Sequence, residues 1–184
     1  MKRYVGIDPS TKTGLVVLDE NGEIWEAIEI EVGLKGNEPD GPTMKKLIKA
    51  ITSYVAPGDI LTIEGFGFAS QSGFLLGGIG WGLRMTLDDM GIKYREIAPS
   101  QLKKFTGEGG NASKEQVAVG TYKRWGFQSK SNNITDAYVL AQIARALHEP
   151  VPMIALQREV IKAIQSPPIK KVKPKKPKRK GESA

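Results

Sequence analysis

Residues 4–18 have the sequence YVGIDPSTKTGLVVL, in which two apolar runs are joined by a turn of small and polar residues. The first run, Tyr4 to Ile7, carries no charge on either face, as in a central strand that is buried on both sides. It ends in Asp8, and a carboxylate at the end of such a strand faces a cleft rather than bulk solvent. We therefore expect Asp8 to be the first residue of a functional site.

Composition narrows the classes of protein to which the chain can belong. Its 184 residues suit a single α/β domain with its own core. The absence of cysteine excludes disulfides, thiolate zinc sites and a cysteine nucleophile, and there is one histidine, His148. No segment approaches the roughly 18 apolar residues of a membrane span, and no signal-peptide core follows Lys2 and Arg3. We expect a soluble protein of the cytoplasm.

The net charge of +7 is concentrated at the C-terminus. Residues 167–184 contain eight basic residues and one acid, whereas basic and acidic residues balance over residues 1–166. Four prolines in the same segment oppose a helix. We expect residues 1–166 to form one folded domain and residues 167–184, the basic arm, to be flexible and to contact nucleic acid. The alternatives for the arm are a solubility tail or a localisation signal. The basic residues of the arm are Lys170, Lys171, Lys173, Lys175, Lys176, Lys178, Arg179 and Lys180.

Apolar periodicity and turn signals predict five strands and several helices. Three strands come first and are predicted to be antiparallel, because Asn21-Gly22 is a hairpin signal. Caps are predicted at Ser113, with Gln116, and at Asn132 or Asn133. The order predicts a mixed five-stranded sheet flanked by helices on both faces. The predicted strands are residues 2–8, 13–19, 23–31, 60–64 and 92–97, and the predicted helices are residues 44–55, 74–90, 100–105, 114–125 and 134–147, with one or two further turns at residues 160–164.

The helix predicted at residues 74–90 contains four glycines, at positions 77, 78, 80 and 82. Each glycine costs a helix roughly 1 kcal/mol relative to alanine. A close approach of another helix or of a second subunit would compensate for this cost, and the alternative is a bent or broken helix. We expect this helix, Phe74 to Met90, to form the interface of a homodimer.

Three carboxylates are predicted to meet at one edge of the sheet. Asp8 and Glu64 each end a strand, and Asp136 lies in the first turn of the long predicted helix. Side chains at these places point into the crevice where α/β proteins bind ligands. Because three close acids repel one another, a hard divalent cation with oxygen ligands, Mg²⁺ or Mn²⁺, would be needed to neutralise them. The alternative is that each acid is separately a helix cap or a surface charge.

Five motifs lie in order between residue 3 and about residue 148: GIDPSTKTG (6–14), IE (63–64) before a phenylalanine-bearing loop, APSQLKKFTG (98–107), ASKEQV (112–117) and TDA (135–137). Together they resemble the RuvC family of Holliday-junction resolvases. The resemblance implies an α/β fold of the ribonuclease H-like type and a homodimer that cuts two strands of a four-way DNA junction with Mg²⁺ or Mn²⁺. The long loop at residues 33–42 and the lack of an appended domain resemble the phage-type branch, which would place the protein in a bacterial or phage-infected cell.

The resemblance also implies a set of catalytic acids. Asp8, Glu64 and Asp136 match three of the family's four acids. The fourth position, usually an aspartate in bacterial members, is Asn133, whose amide oxygen could ligate a metal or orient a water without adding charge; the alternative is a plain helix cap. Two ions per active site are implied, one for the attacking water and one for the leaving 3′ oxygen.

Further residues are implied at the DNA. Lys114 matches the lysine of the family's Ala-x-Lys-x-Gln-Val motif, and Lys103 or Lys104 matches a second lysine position. A lysine beside the scissile phosphate balances charge in the transition state, and the alternative is an ordinary exposed lysine. Phe66 and Phe68 lie where the family carries an aromatic that inserts at the junction point, where stacking on a base is worth roughly 1–3 kcal/mol. One of the two could instead pack in the core.

The leading hypothesis is a metal-dependent, structure-selective DNA endonuclease. A junction-binding protein with weak or no cleavage is one alternative, with Asn133 as the sign of lost activity. A phosphate-binding ATPase-like domain of the actin and sugar-kinase type is another, because residues 6–14 also resemble its phosphate-binding turn. Such proteins need two domains, and the motif is not repeated in this chain.

Overall fold

The structure, a computed structural model, describes residues 1–34, 40–66 and 73–166. Within these ranges, no helix is both long enough and apolar enough to cross a membrane. In chain order the elements are β1 (Tyr4–Asp8), β2 (Lys12–Leu18), β3 (Ile24–Glu31), α1 (Gly41–Thr52), β4 (Ile60–Glu64), α2 (Gly73–Asp89), β5 (Tyr94–Ile97), α3 (Pro99–Phe105), α4 (Lys114–Trp125), α5 (Asn132–Ala146) and α6 (Ala155–Gln165).

The five strands form one mixed sheet in the order β3-β2-β1-β4-β5. β1, β2 and β3 are antiparallel neighbours, whereas β4 runs parallel to β1 and β5 runs parallel to β4. The predicted sheet and its antiparallel start are therefore confirmed. The connection from β2 to β3 passes through Gly22, whose φ of 89° is a left-handed conformation that glycine adopts without strain.

Both faces of the sheet are covered by helices, as predicted. Successive side chains of a strand point to opposite faces, so Val5 and Ile7 of β1 are buried with residues of α1 and α2, whereas Tyr4 of β1 and Val16 of β2 are buried with residues of α5. A further apolar cluster joins α5 to α3, α4 and α6. The helix α5 is consequently the central element of its face.

Two glycines allow α5 to lie directly on the sheet. A Cβ atom on Gly6 of β1 would lie 2.1 Å from the carbonyl oxygen of Ala137, and one on Gly14 of β2 would lie 2.0 Å from that of Asn133. Both distances are far inside van der Waals contact, so any larger residue would push the helix away. The absence of these two side chains brings the first turns of α5 to the end of β1 and the start of β2.

The N-terminus of α5 differs from the prediction. Its N-cap is Ser131, whose hydroxyl oxygen accepts a hydrogen bond from the N–H of Ile134 at 3.3 Å. The prediction that Asn132 or Asn133 caps the helix is therefore wrong. A serine hydroxyl caps a helix as well as an asparagine does, and here it starts the helix earlier.

α6 is longer than the one or two turns predicted at residues 160–164, since it begins at Ala155. The N–H of Ile154 before it is satisfied by Gln157 Oε1 at 3.1 Å rather than by a capping serine, threonine or aspartate. The usual sequence signal for a helix start is consequently absent.

α2 is continuous across its four glycines, so the helix is not broken. A Cβ atom on Gly78 or Gly82 would lie 3.3 Å from a side chain of α1, and one on Gly80 would lie 2.5 Å from the Phe66 ring. These glycines let α1 and Phe66 approach the backbone of α2, which confirms the predicted close approach of another helix.

Candidate active site

The strand order brings Asp8 and Glu64 together at one edge of the sheet. β1 and β4 are parallel neighbours in which Ile7 pairs with Ile63, so the next residues end adjacent strands side by side. Asp136 reaches the same place from α5, in its second turn rather than its first because the helix begins earlier than predicted. All three carboxylates line one cavity of about 870 Å³.

Burial raises the pKa of each of these carboxyl groups. Asp8 is only 8% exposed, and removal from water raises its pKa although a hydrogen bond with Glu64 and the charge of Lys114 oppose the change. Burial, followed by the charge of Asp8, raises the pKa of Glu64 to about 9 and that of Asp136 to about 7. The three acids cannot all be ionised at neutral pH without a neutralising cation.

The chemistry of this donor set fits a hard divalent cation. As the side chains are placed, no three Asp, Glu or His residues of the described ranges converge closely enough to hold an ion, so the carboxylates would have to close together on binding. The donors are nevertheless all oxygens, which Mg²⁺ and Mn²⁺ prefer. A cation at this place would remove the repulsion that raises the pKa of Glu64 and Asp136.

Asn133 lines the same cavity as Asp8. Its Nδ2 donates hydrogen bonds to the carbonyl oxygen of Lys12 at 2.6 Å and to a carboxylate oxygen of Glu29 at 3.3 Å. The amide therefore connects α5 to β2 and β3. Its alternative role as the helix cap belongs instead to Ser131.

The start of α4 places Lys114 at the cavity. Lys114 is the first residue of the helix, and the predicted capping box before it is confirmed. The N–H of Gln116 donates to Ser113 Oγ at 3.3 Å, and the N–H of Ser113 donates to Gln116 Oε1 at 2.8 Å. Because the cap fixes the first turn, Lys114 is held where its ammonium group acts on the carboxylates.

The two lysines of α3 lie in different surroundings. Lys103 lines the cavity and, like Lys114, lowers the pKa of Asp136. Lys104 instead forms an exposed ion pair with Glu159 of α6 at 3.3 Å. The structure thus brings Lys103 to the carboxylates and leaves Lys104 on the surface beside α6.

Phe66 forms one wall of the cavity together with Trp81 of α2. The two rings are stacked, with centroids 5.8 Å apart and planes at 29°. Trp81 is 60% exposed, so this pair, the aromatic wall, offers ring surface at the mouth of the site. Phe68 and the basic arm, for which DNA contacts are predicted, lie outside the described residues.

Sequence reasoning missed Trp81 and Arg84. Arg84 is 2% exposed and donates hydrogen bonds to Glu96 Oε1 at 2.5 Å, to the carbonyl oxygen of Gly80 at 2.9 Å and to that of Glu64 at 3.1 Å. A signal was present, because Arg84 is the only cation of α2 and follows eleven residues without a charge. A lone cation on such a helix predicts a buried partner, although the sequence does not say which.

Comparisons with known proteins give a consistent result. The solved structures that resemble the chain include Thermus thermophilus RuvC, with 19% identity, a TM-score of 0.58 and coverage of 77% of this chain and 93% of that one. They also include T. thermophilus RuvC in complex with a Holliday junction substrate, with 16% identity, a TM-score of 0.59 and coverage of 79% of this chain and 95% of that one. No curated protein sequence matches significantly. The family model for crossover junction endodeoxyribonuclease RuvC matches residues 4–144, which include all three carboxylates. The chain therefore belongs to the RuvC family of crossover junction endodeoxyribonucleases.

Proposed function

We propose that this chain is a divalent-metal-dependent endonuclease that resolves four-way DNA junctions by paired hydrolysis of phosphodiester bonds. The observation that carries the proposal is the meeting of Asp8, Glu64 and Asp136 in one cavity of a chain that belongs to this family. The similar structure of T. thermophilus RuvC with a Holliday junction substrate supports branched DNA as the ligand. The proposed compartment is the cytoplasm of a bacterial or phage-infected cell, where such junctions arise.

Each group around the cavity has a proposed role. Asp8, Glu64 and Asp136, together with the Asn133 amide oxygen, would hold Mg²⁺ or Mn²⁺, two ions per site, which when bound supply Lewis acidity and lower the pKa of the attacking water. Lys114 binds the scissile phosphate and stabilises the charge that develops on it.

DNA contacts are proposed to surround these groups. The aromatic wall offers ring faces on which an unpaired base at the junction point can stack, and such stacking is worth about 1–3 kcal/mol per base. Lys103 lies beside the wall in the same cavity and supplies a positive charge for the backbone. Phe68, Lys104 and the basic arm, a segment outside the nuclease domain of residues 1–166, remain predicted DNA contacts.

A homodimer through α2 is proposed because one face of this helix is apolar and exposed. Phe74 and Met85 lie three helical turns apart on one side of the helix and are 84% and 64% exposed. Exposed apolar side chains clustered in this way mark an interaction surface. A second copy of the chain is the proposed partner, because two active sites in one particle are what symmetric cleavage of two strands requires.

Cleavage of a labelled synthetic four-way junction in Mg²⁺ tests the proposed function. We expect the wild-type protein to cut the junction in opposing strands and to leave a linear duplex of the same sequence intact. The Asp8→Asn variant should still shift the junction in a gel but should not cut it. A wild-type protein that binds the junction without nicking it would support the junction-binding alternative, and equal cleavage of duplex and junction would contradict structure selectivity.

A further inference from the structure

Four adjacent strands place their residues at the active-site edge in one row. Asp8 of β1 pairs with Gly14 of β2, and Gly14 pairs with Glu29 of β3. On the other side of β1, the pairing of β1 with β4 sets Glu64 beside Asp8. Directly paired residues point to the same face of a sheet, so the carboxylate of Glu29 lies on the face that carries the catalytic acids, two strands or about 10 Å from Asp8.

Asn133 fills the gap in this row. Gly14 has no side chain, and the backbone of Asn133 lies directly over it, with the carbonyl oxygen 2.0 Å from where a Cβ atom would be. Asn133 is therefore placed between Glu29 on one side and Asp8 on the other. The Asn133 side chain contacts Glu29 and lines the cavity together with Asp8.

The hydrogen bonds of Asn133 fix which way its amide points. The groups on one side of it are the carbonyl oxygen of Lys12 and the carboxylate of Glu29, and both accept hydrogen bonds only. Only the amide nitrogen can face two acceptors. The amide oxygen is consequently turned away from these two acceptors, on a residue that lines the cavity.

Glu29 is itself held in place. The same carboxylate oxygen that accepts from Asn133 also accepts a hydrogen bond from the Ser131 hydroxyl, the N-cap of α5. The carboxylate is thus tied to two residues at the start of the helix. Such hydrogen bonds orient a side chain rather than merely neutralising its charge, as residues that hydrogen-bond to metal ligands commonly do.

We propose that Glu29 is a positioning residue for the active site, which holds the Asn133 amide so that its oxygen faces Asp8 and Asp136. The inference rests on the proposed function, because it concerns the oxygen that Asn133 offers to a divalent cation. An aspartate at position 133 would carry a negative charge. In this chain the Asn133 amide is neutral, and the negative charge is carried instead by Glu29, on the other side of the amide from the cavity. A carboxylate introduced at position 133 would face the carbonyl oxygen of Lys12 and the carboxylate of Glu29, both of which repel it.

The competing explanation is that Glu29 only stabilises the positive N-terminus of α5. A stabilising role would change the melting temperature and leave the affinity of the folded protein for cations unaltered. A positioning role would change that affinity in variants that remain folded. The two explanations are therefore separated by measuring both quantities on the same proteins.

The probe is Mn²⁺, titrated into DNA-free protein and followed by the electron paramagnetic resonance of the free ion. We expect Glu29→Ala to weaken Mn²⁺ binding about tenfold or more, and Glu29→Gln, which keeps an acceptor oxygen, to weaken it less. Glu31→Ala is the matched control, since Glu31 lies two residues along the same strand, is exposed and pairs with Lys12 at 3.0 Å. It removes the same charge without touching Asn133 and should bind Mn²⁺ like the wild type.

Variants that move the negative charge from position 29 to position 133 give a second, independent measurement. We expect Asn133→Asp alone to gain little or no Mn²⁺ affinity, whereas Asn133→Asp combined with Glu29→Gln should bind at least as tightly as the wild type, because glutamine can donate to the new carboxylate. Wild-type affinity in Glu29→Ala, or equal affinities of the single and double variants, would overturn the inference. A wild-type protein that shows this Glu29 dependence but cuts no junction would overturn the proposed function alone.

Discussion

Arg84 Nη2 donates a hydrogen bond to the backbone carbonyl oxygen of Glu64 at 3.1 Å. The guanidinium carbon also lies 4.3 Å from the centroid of the Phe66 ring. One buried side chain of α2 therefore supports both the strand end that carries Glu64 and one ring of the aromatic wall. Arginine suits this position because its planar group donates in several directions while it stacks on an aromatic face.

Replacement of Arg84 should destabilise the protein, and a lysine at this position should not restore the full stability. Arg84→Met leaves the carbonyl oxygen of Glu64 without this donor, and a buried acceptor that loses its partner costs about 1–3 kcal/mol. Arg84→Lys keeps the charge but not the planar fork, so we expect at most partial recovery. Urea denaturation measures both variants, with Arg158→Met on the exposed face of α6 as the control. Full stability in Arg84→Lys would show that charge alone matters here.

Without a divalent cation, the stability of the fold should fall as the pH rises. The pKa of Glu64 is raised from 4.5 to about 9, so between these values the folded state binds a proton that the unfolded state has released. Stability then decreases as the pH rises. Asp136, whose pKa is raised from 3.8 to about 7, contributes a decrease of the same sign between these two pH values. Thermal denaturation in a chelator, from about pH 5 to about pH 9, measures the slope.

Asp8→Asn is the control for this pH dependence. It removes the charge that, after burial, does most to raise the pKa of Glu64 and of Asp136, and we expect a shallower slope. Added Mg²⁺ should restore stability most strongly at high pH, where the carboxylates are ionised. A metal-free protein that becomes more stable between pH values near 5 and near 9 would contradict the electrostatic account of the site.

Gly6→Ala should destabilise the protein through the contact between β1 and α5. The new Cβ atom would lie 2.1 Å from the carbonyl oxygen of Ala137, so the helix would have to move. Overpacking of this kind costs about 1–3 kcal/mol or more. The matched control is Gly77→Ala in α2, where a Cβ atom meets nothing within 4 Å and where alanine should stabilise the helix by up to about 1 kcal/mol. Chemical denaturation in which both variants behave alike would refute the steric argument.

The parts of the site that lie at strand ends could be predicted from the sequence. Asp8 and Glu64 each follow an apolar run, and the carboxyl ends of parallel neighbours share an edge of the sheet. The predicted place of Asp136 was nearly right, although the Ser131 cap moved it into the second turn. Local pattern was enough for these residues because each one is positioned by its own element.

The residues that depend on packing between distant segments could not be predicted. Trp81 stacks on Phe66, and Arg84 lies over the same ring, only because Gly80 lets Phe66 lie against α2. Glu29 alternates with apolar neighbours and resembles any solvent-facing acid of an edge strand. Only the register of β1, β2 and β3 sets it in line with Asp8, and register is a property of the sheet rather than of one strand.

Met85→Asp should weaken the proposed dimer. Met85 is 64% exposed on the apolar face of α2, so a charge there would have to be buried against the partner, which is unfavourable without a counter-charge. Sedimentation at micromolar concentration should show a dimer for the wild type and a monomer for the variant. Val119→Asp on α4, where the valine is 49% exposed, is the control and should remain dimeric. A wild-type protein that is monomeric under these conditions would contradict the proposed interface.

Lys114→Ala and Lys104→Ala should differ in their effect on cleavage, because only Lys114 lines the cavity. Loss of a group that stabilises charge in a transition state lowers the rate by about 100-fold or more, and we expect a decrease of this order in the single-turnover rate of Lys114→Ala at saturating protein. Lys104 forms an ion pair with Glu159 on the surface. Because exposed ion pairs contribute little energy, the removal of Lys104 should leave the cleavage rate within about twofold of wild type. Junction affinity, measured separately by gel shift, distinguishes a phosphate contact from a role in the chemical step. Equal rates for the two variants would mean that the position of Lys114 at the carboxylates has no part in the reaction.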